Sequence, residues 1–418
     1  MACDGNNATP PSPAIAPGGE ALDPRRIAAE LGERGLDPGL CRAIPGFDAP
    51  FFQAGLAGYS DAAMRIIARR HGCPMCVTEA LLDITLLAGG RGFAKADLGD
   101  IAENVPGGDE DSPLVGQIMG SEPETMAQAA RKMVVQDRAN WLRKSWINKN
   151  AHDEPNGEAV ITDSPGFAAI DVNLACPVKK IAKKARGGHW LAEPNGAIKI
   201  LEAVREAVPA ELPTTVKLRR SFDDTPEMVE SFWRIYDAAY DMGYAWATVH
   251  ARTVEQKYIG PSRWDLLREI VRARPGRTVL GSGDVWNAGD IFRMLAYTGV
   301  SAASVARGCI GNPWIFRQAR QMLAGSEPTP PTIDEQRRVL EQHFELAIAA
   351  NRWTRDPERF TSRSMRKFGI RFSTHHPASE AVRQAMIKVS SIDDWRALLD
   401  EHYTGAAAAT TTSPADAR

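Results

Sequence analysis

The sequence predicts an α/β protein of the TIM-barrel class, in which a ring of helices surrounds eight parallel strands, followed by an all-helical C-terminal domain. Eight short apolar runs rich in β-branched residues are separated by helical patterns, and after Phe316 only helical periodicity continues. Strands that alternate with helices favour a parallel sheet, and eight such units favour a closed barrel. An open doubly wound sheet stays an alternative, because the first strand is weak.

The apolar runs predict strands at 51–55, 75–79, 114–119, 169–174, 214–219, 247–250, 278–282 and 303–306. Helical patterns lie between them, for example at 61–71, 123–135, 226–240 and 287–297. The short lengths of the strands and the amphipathic helices between them are typical of barrel units.

The same patterns divide the chain. The expected divisions are 1–48 (disordered N-terminus and a short helix capped by Asp23), 49–325 (barrel), 326–404 (helical domain) and 405–418 (disordered tail). Two segments of the barrel, 83–112 and 137–166, are longer than ordinary connections and are predicted to be insertions. The second insertion interleaves Trp141 and Trp146 with basic residues, which suits base stacking, although covering apolar surface is the favoured interpretation.

Composition limits the function classes. The net charge is −2, so any nucleic-acid contact must come from a local basic patch. Six cysteines are too few for a disulfide scaffold and suit a reducing cytoplasm. No membrane span or signal peptide is expected, and a monomer is expected. The pair Cys73 and Cys76 has metal-like spacing, but there is no second pair, so no metal site is predicted.

Polar side chains follow the predicted strands at the point where each strand ends. They are Gln117, Asn173, Cys176, Lys217, Arg219, His250, Arg252, Ser282, Asp284 and Arg307. Catalytic groups of TIM barrels lie at the carboxyl ends of the strands, so these side chains predict an active site on one rim. The loops Gly281–Asp284 and Ala306–Gly308 are small and glycine-rich, which suits phosphate binding after strands seven and eight. Flavin mononucleotide (FMN) and a phosphosugar fit this pattern equally well.

The stretch from Asn173 to Lys180 reads Asn-Leu-Ala-Cys-Pro-Val-Lys-Lys and follows the fourth strand. Here the sequence resembles the tRNA-dihydrouridine synthases, which carry Asn-x-Gly-Cys-Pro followed by Val-Lys-Lys. Ala175 stands where that family usually has glycine. The resemblance covers residues 50 to 400 and is greatest for the bacterial B-type members.

The resemblance implies that the barrel binds FMN tightly. The implied cofactor-binding residues are Ala54, Gly55, Leu56, Gln117, Lys217, His250, Ser282, Gly283, Asp284, Ala306, Arg307 and Gly308. Gly55 replaces the proline of the family's first turn, and Val254 replaces a second arginine near the rim. Lys217 is expected at the flavin N1/O2 edge, where a cation stabilises the reduced ring.

The resemblance also implies the reaction: reduction of specific tRNA uridines to 5,6-dihydrouridine, with NADPH as the reductant of the flavin. Hydride is expected to pass from reduced FMN to C6 of a flipped uracil, while Cys176 protonates C5. Asn173, Arg219 and Arg252 are expected to bind the substrate. Two other functions stay open: a flavin barrel acting on a free small molecule such as dihydroorotate, and a non-catalytic tRNA-binding descendant.

A basic helix face is predicted in the C-terminal domain. Arg355, Arg359, Arg363, Lys367 and Arg371 recur every four residues, opposite an apolar face. Such a face is usually only solvated, but the excess of positive charge over nearby Asp356 and Glu358 favours an RNA contact. Arg359, Arg363 and Lys367 are predicted to bind the tRNA backbone.

Overall fold

The computed structural model describes residues 21–88, 109–139, 166–178, 186–351 and 354–404, with backbone only at 109 and 135–139. The predicted disordered stretches at both ends lie outside the described residues. So do Trp141 and Trp146, most of both insertions, and Lys179 and Lys180 of the motif.

The described strands form one closed parallel sheet. They are β1 (Phe51–Gln53), β2 (Cys76–Val77), β3 (Leu81–Leu82), β4 (Leu114–Met119), β5 (Phe167–Leu174), β6 (Thr214–Arg219), β7 (Trp246–His250), β8 (Val279–Ser282) and β9 (Ala302–Val305). Strand β1 pairs with both β2 and β9, and the remaining strands follow in chain order. The predicted TIM barrel is therefore confirmed, and the open sheet is excluded by this closure.

The sequence predicted one strand at 75–79 as the second strand of the barrel, and the structure has two short strands there instead. Two short strands, β2 and β3, lie one after the other along β4, with Cys76 opposite Leu114 and Leu81 opposite Ile118. Between them, the hydroxyl of Thr78 accepts the Gln117 backbone N–H at 2.9 Å. A side chain thus replaces a ladder carbonyl, which is the physical reason that the strand is interrupted.

The helices of the barrel and the N-terminal segment are α1 (Pro24–Arg34), α2 (Pro38–Ala43), α3 (Ala62–Arg70), α4 (Asp83–Ala88), α5 (Pro123–Ala139), α6 (Pro194–Ala207), α7 (Pro226–Asp241), α8 (Trp264–Ala273), α9 (Ala288–Thr298) and α10 (Trp314–Leu323). Asp23 caps α1 as predicted, its carboxylate accepting the Arg25 N–H. Helix α2 was not predicted. Its Leu40 joins a buried cluster with Phe52, Val115 and Trp246, so this segment closes the amino-terminal end of the barrel.

Beyond residue 325, the described chain contains helices and no strands. They are α11 (Ile333–Ala350), α12 (Pro357–Ser364), α13 (Arg366–Phe372), α14 (Ser379–Lys388) and α15 (Ile392–His402). The predicted single basic helix is broken at Met365 into α12 and α13. The five basic residues therefore do not share one continuous face. In the part of the chain that the structure covers, no helix has the length and apolar character needed to cross a membrane.

Candidate active site

A cavity of about 290 Å³ opens at the carboxyl ends of the strands. The register of the sheet explains why the predicted polar residues meet there: Asn173 pairs with Lys217, and His250 pairs with both Arg219 and Ser282. The predicted residues that line the cavity are Gly55, Leu56, Gln117, Asn173, Cys176, Lys217, Arg219, His250, Ser282, Ala306 and Arg307. Ala54 lies below it, around a small void in the barrel core.

Cys176 is held at the cavity by a side-chain-capped turn. Oδ1 of Asn173 accepts the backbone N–H groups of Ala175 at 3.0 Å and of Cys176 at 3.2 Å. On the far side, Gly188 donates its N–H to the Cys176 carbonyl at 2.9 Å, and a Cβ at Gly188 would lie 3.0 Å from that oxygen. Burial raises the pKa of the Cys176 thiol, although Arg219 and Lys217 act in the opposite direction. The thiol is therefore protonated at neutral pH and can serve as an acid.

A buried chain of polar groups lies under the cavity. Gln117 Nε2 donates to Asp171 Oδ2 at 2.7 Å, and Asn173 Nδ2 donates to Gln117 Oε1 at 2.6 Å. Thr215 donates to the other oxygen of Asp171 at 2.6 Å. Burial raises the pKa of Asp171 to about 6, against the lowering effects of these donors and of Lys217. The sequence did not indicate Asp171 as a site residue, although it lies in the fourth predicted strand, two residues before Asn173.

Lys217 and His250 are the other titratable groups of the cavity wall. Burial lowers the pKa of Lys217, with Asp171 opposing the change. Burial and nearby cations, Arg219 first among them, lower the pKa of His250 well below its ordinary value. Nδ1 of His250 accepts the Arg252 backbone N–H at 3.2 Å. The neutral ring therefore carries its proton on Nε2, which makes that nitrogen a hydrogen-bond donor.

Arg219 fastens the loop after β7 to the cysteine turn. Its Nε donates to the Ala175 carbonyl at 2.9 Å, and its Nη1 donates to the carbonyls of Thr253 and Lys257, both at 2.7 Å. Burial lowers the pKa of Arg219 to about 10, so the guanidinium remains charged at neutral pH. In this way Arg219 brings Tyr258 to the cavity wall, with its guanidinium 5.6 Å from the ring centroid. No sequence pattern had indicated Tyr258.

A smaller recess adjoins the cavity between the loops after β8 and β9. Ser282, Gly283, Asp284, Ala306 and Arg307 line it. Gly308 lies just behind, where a Cβ would come within 2.2 Å of the Val285 carbonyl oxygen. Only a glycine lets the two loops approach this closely. The recess is small, and it combines glycine-containing loop backbone with one guanidinium, groups that bind phosphate in other proteins.

Arg252, predicted to bind the substrate, does not line the cavity. It is 1% exposed, and its Nη2 donates to the Asp284 carboxylate at 2.7 Å and to the Gly260 carbonyl. Asp284 also accepts the Ser262 N–H at 2.7 Å, and its φ of 54° places it in the left-handed region. Arg252 therefore supports the loop of the recess by holding Asp284. The sequence placed Arg252 near the rim but could not show which way its side chain turns.

The three basic residues predicted to bind tRNA have different surroundings. Arg359 and Arg363 lie on α12 and are exposed. Lys367, on α13, donates to the Gly58 carbonyl and lies 5.1 Å from the ring centroid of Tyr59. Lys367 therefore docks the helical domain on the loop after β1. Among the described residues, no cluster of three or more His, Cys, Asp or Glu could hold a metal ion.

The amino-acid sequence of this chain is similar to those of one known protein family. A sequence model described as dihydrouridine synthase (Dus) matches residues 154–408. A probable tRNA-dihydrouridine synthase of Treponema pallidum is 30% identical over 71% of this chain and 77% of that protein. One of Mycobacterium tuberculosis is 34% identical over 55% of this chain, and the match spans 58% of the relative's length. The tRNA-dihydrouridine synthase B of Shewanella oneidensis is 30% identical over 70% of this chain and 77% of that protein.

Proposed function

The chain belongs to the dihydrouridine synthase family, and from that premise we propose that it reduces uridines of tRNA to 5,6-dihydrouridine, with FMN as resident cofactor and NADPH as reductant. The observation that carries the proposal is that the Cys176 thiol shares one cavity with Lys217, His250 and Arg219, next to the small recess that Arg307 lines. An acid, cationic groups and a phosphate site are the parts that this reaction needs.

The residues present fit FMN. The recess lined by Gly283, Ala306 and Arg307 would take the phosphate, with Asp284 and Gly308 holding its two loops together. A Cβ at Gly55 would lie 2.2 Å from the Thr78 carbonyl oxygen, so this turn lies close against the second barrel position. Gln117, Lys217 and His250 would hydrogen-bond the ring, because all three line the cavity next to the recess.

Bound FMN would supply the hydride that adds to C6 of the uracil. Cys176 would donate its thiol proton to C5, so that the C5–C6 double bond becomes a single bond and the thiolate regains a proton from solvent. The raised pKa of Cys176 supports this role, because the proton is present before the reaction. Arg219 uses Nε and Nη1 for backbone carbonyls, which leaves Nη2 to hold a uracil oxygen.

Asn173 would act mainly through the turn that it caps. Its Oδ1 is occupied by two backbone N–H groups and one Nδ2 hydrogen by Gln117, which leaves one hydrogen for the substrate. Arg359 and Arg363 would contact tRNA phosphates from the helical domain, because they are exposed and basic. Such contacts position the RNA and carry no base specificity.

The decisive experiment compares tRNA from cells with and without the gene, and maps dihydrouridine by mass spectrometry, where each reduced uridine adds two hydrogens. We expect at least one position to lose its reduced base in the deletion strain and to regain it with the wild-type gene. The purified protein should also show flavin absorbance. An unchanged dihydrouridine pattern, together with a protein that neither contains nor takes up FMN, would exclude the proposed function.

A further inference from the structure

Arg371 connects the helical domain to the candidate active site. Among the described residues beyond 325, it alone lines the 290 Å³ cavity. It lies in the last turn of α13 and is exposed. In the described part of the chain, no hydrogen bond or ion pair of its guanidinium is found. Its surroundings therefore differ from those of the other basic residues on the predicted basic helix face.

The helix that carries Arg371 is anchored to the barrel by two aromatic contacts. Phe368 packs edge-on against Tyr59, with ring centroids 5.6 Å apart, and Phe372 packs edge-on against Trp314 at 5.4 Å. Gly311 has a φ of 65°, and a Cβ there would lie 2.6 Å from Cβ of Arg371. Glycine at this turn lets α13 approach the barrel rim. Arg371 is thus held at the rim by contacts that do not involve its own charge.

The charged side chains that line the cavity are all positive. Lys217, Arg219, Arg307 and Arg371 line it, and the described lining residues include no Asp or Glu. Three of these cations already have neighbours: Arg219 bonds backbone carbonyls, Arg307 lies 3.5 Å from Asp284, and Lys217 interacts with Asp171. A cavity of this kind attracts anions, and the planar guanidinium suits phosphate oxygens in particular.

We propose that Arg371 binds a phosphate group of the molecule that enters the cavity, so that the helical domain contributes directly to the active site. This inference rests on the proposed function. Besides the resident FMN, whose phosphate is assigned to the recess, two molecules of that reaction carry phosphate: the RNA strand beside the target uridine, and the nicotinamide dinucleotide that reduces the flavin. Arg359 and Arg363 do not line the cavity, so they are expected to serve only the RNA.

The test compares Arg371→Ala and Arg371→Lys with the matched control Arg396→Ala. Arg396 is an exposed arginine of α15 that neither lines the cavity nor belongs to the predicted basic helix face. Three quantities are measured anaerobically on flavin-loaded protein: flavin reduction by NADPH and by NADH, reoxidation of the reduced flavin by tRNA, and equilibrium binding of tRNA at several salt concentrations. Binding to the oxidised protein provides a readout that does not depend on turnover.

If the phosphate belongs to RNA, Arg371→Ala should raise the tRNA concentration for half-maximal reoxidation about tenfold and reduce the slope of log affinity against log salt by about one. Arg371→Lys should recover most of the loss, and flavin reduction should be unchanged. If the phosphate belongs to the reductant, the KM for NADPH should rise about tenfold instead. An NADH reaction that is much less affected than the NADPH reaction would then identify the extra phosphate of NADPH.

The proposal is overturned if Arg371→Ala matches Arg396→Ala in both half-reactions and in tRNA binding. It is also overturned if the alanine variant loses flavin or thermal stability and lysine does not rescue it, because the role would then be structural. Failure of the proposed function looks different: wild-type protein reduced by NADPH would transfer no electrons to tRNA. A KM defect of Arg371→Ala confined to NADPH would still support the phosphate contact in that case.

Discussion

The side-chain amide of Gln117 donates to the buried carboxylate of Asp171 across 2.7 Å, beneath the floor of the cavity. The other Gln117 amide atom accepts from Asn173, and Asn173 in turn caps the backbone N–H of Cys176. One carboxylate therefore sets the orientation of a chain of amides that ends at the proposed acid. An ionised carboxylate accepts only, so it determines which Gln117 amide atom faces the cysteine turn.

Asp171→Asn should change how stability depends on pH. Burial raises the pKa of Asp171 from 3.8 to about 6, so the folded chain keeps a proton that the unfolded chain loses. The contribution of Asp171 to the free energy of unfolding therefore falls as the pH rises from about 4 to about 6, and the variant should lack this fall. Thermal unfolding of both proteins between pH 4 and pH 7.5 measures it. Parallel curves for the two proteins would contradict the raised pKa.

Cys176→Ala should separate the two half-reactions. The thiol is assigned only to protonation of C5, so flavin reduction by NADPH should continue near the wild-type rate. Dihydrouridine formation should fall by roughly 100-fold or more, the usual range for loss of a positioned general acid. Cys176→Ser should be almost as slow, because a hydroxyl is a far weaker acid than a thiol. A normal rate of tRNA reduction by the alanine variant would remove Cys176 from the mechanism.

The double variant Arg359→Ala/Arg363→Ala should weaken tRNA binding and leave the fold intact. Both side chains are exposed on α12, and loss of two phosphate contacts should reduce the slope of log affinity against log salt by about two. Titration of tRNA at three or more salt concentrations gives this slope. Unchanged affinity would make α12 an ordinary solvated surface.

Lys367→Ala is predicted to act on stability, in contrast to the two arginines. Its ammonium contacts the Gly58 carbonyl and the ring of Tyr59, so its loss should lower the free energy of unfolding by about 1 kcal/mol. Thermal or urea unfolding of the single variant, with Arg363→Ala as control, tests this assignment. If both variants are equally stable and both bind tRNA more weakly, Lys367 contacts RNA and does not serve mainly to stabilise the fold.

His343→Leu should make the protein less sensitive to acid. His343 is 2% exposed, and neither of its ring nitrogens has a hydrogen-bond partner in the part of the chain that the structure describes. The centroid of its ring lies 4.6 Å from that of Phe368. Burial lowers its pKa to about 4, with Lys367 acting in the same direction and Asp61 against it. The unfolded chain binds the proton first, so wild-type stability falls as the pH drops from 6.5 towards 4. Unfolding midpoints across this range should fall less steeply in the variant. An equally steep fall in both proteins would exclude His343 as the source.

Much of the barrel could be predicted because each unit carries its own local pattern. The runs at 114–119 and 214–219 coincide with the strands Leu114–Met119 and Thr214–Arg219, and Asp23 caps α1. Parallel strands place their carboxyl ends on one rim, so the residues near those ends, such as Asn173, Lys217 and His250, were expected to meet. The sequence by itself therefore determined the fold class, the family resemblance and the rim on which the cavity opens.

Tertiary structure decided the direction of the side chains on that rim. Arg219 and Arg252 follow neighbouring strands and looked alike in the sequence, yet one lines the cavity and the other is buried against Asp284. Likewise, the basic helix face from Arg355 to Arg371 looked continuous in the sequence. In the structure, the helix breaks at Met365, so that Lys367 contacts the barrel and Arg371 lines the cavity. Periodicity reports which face of one element a residue occupies. The partner that a long charged side chain reaches depends on segments distant in sequence, which only the packed molecule brings together.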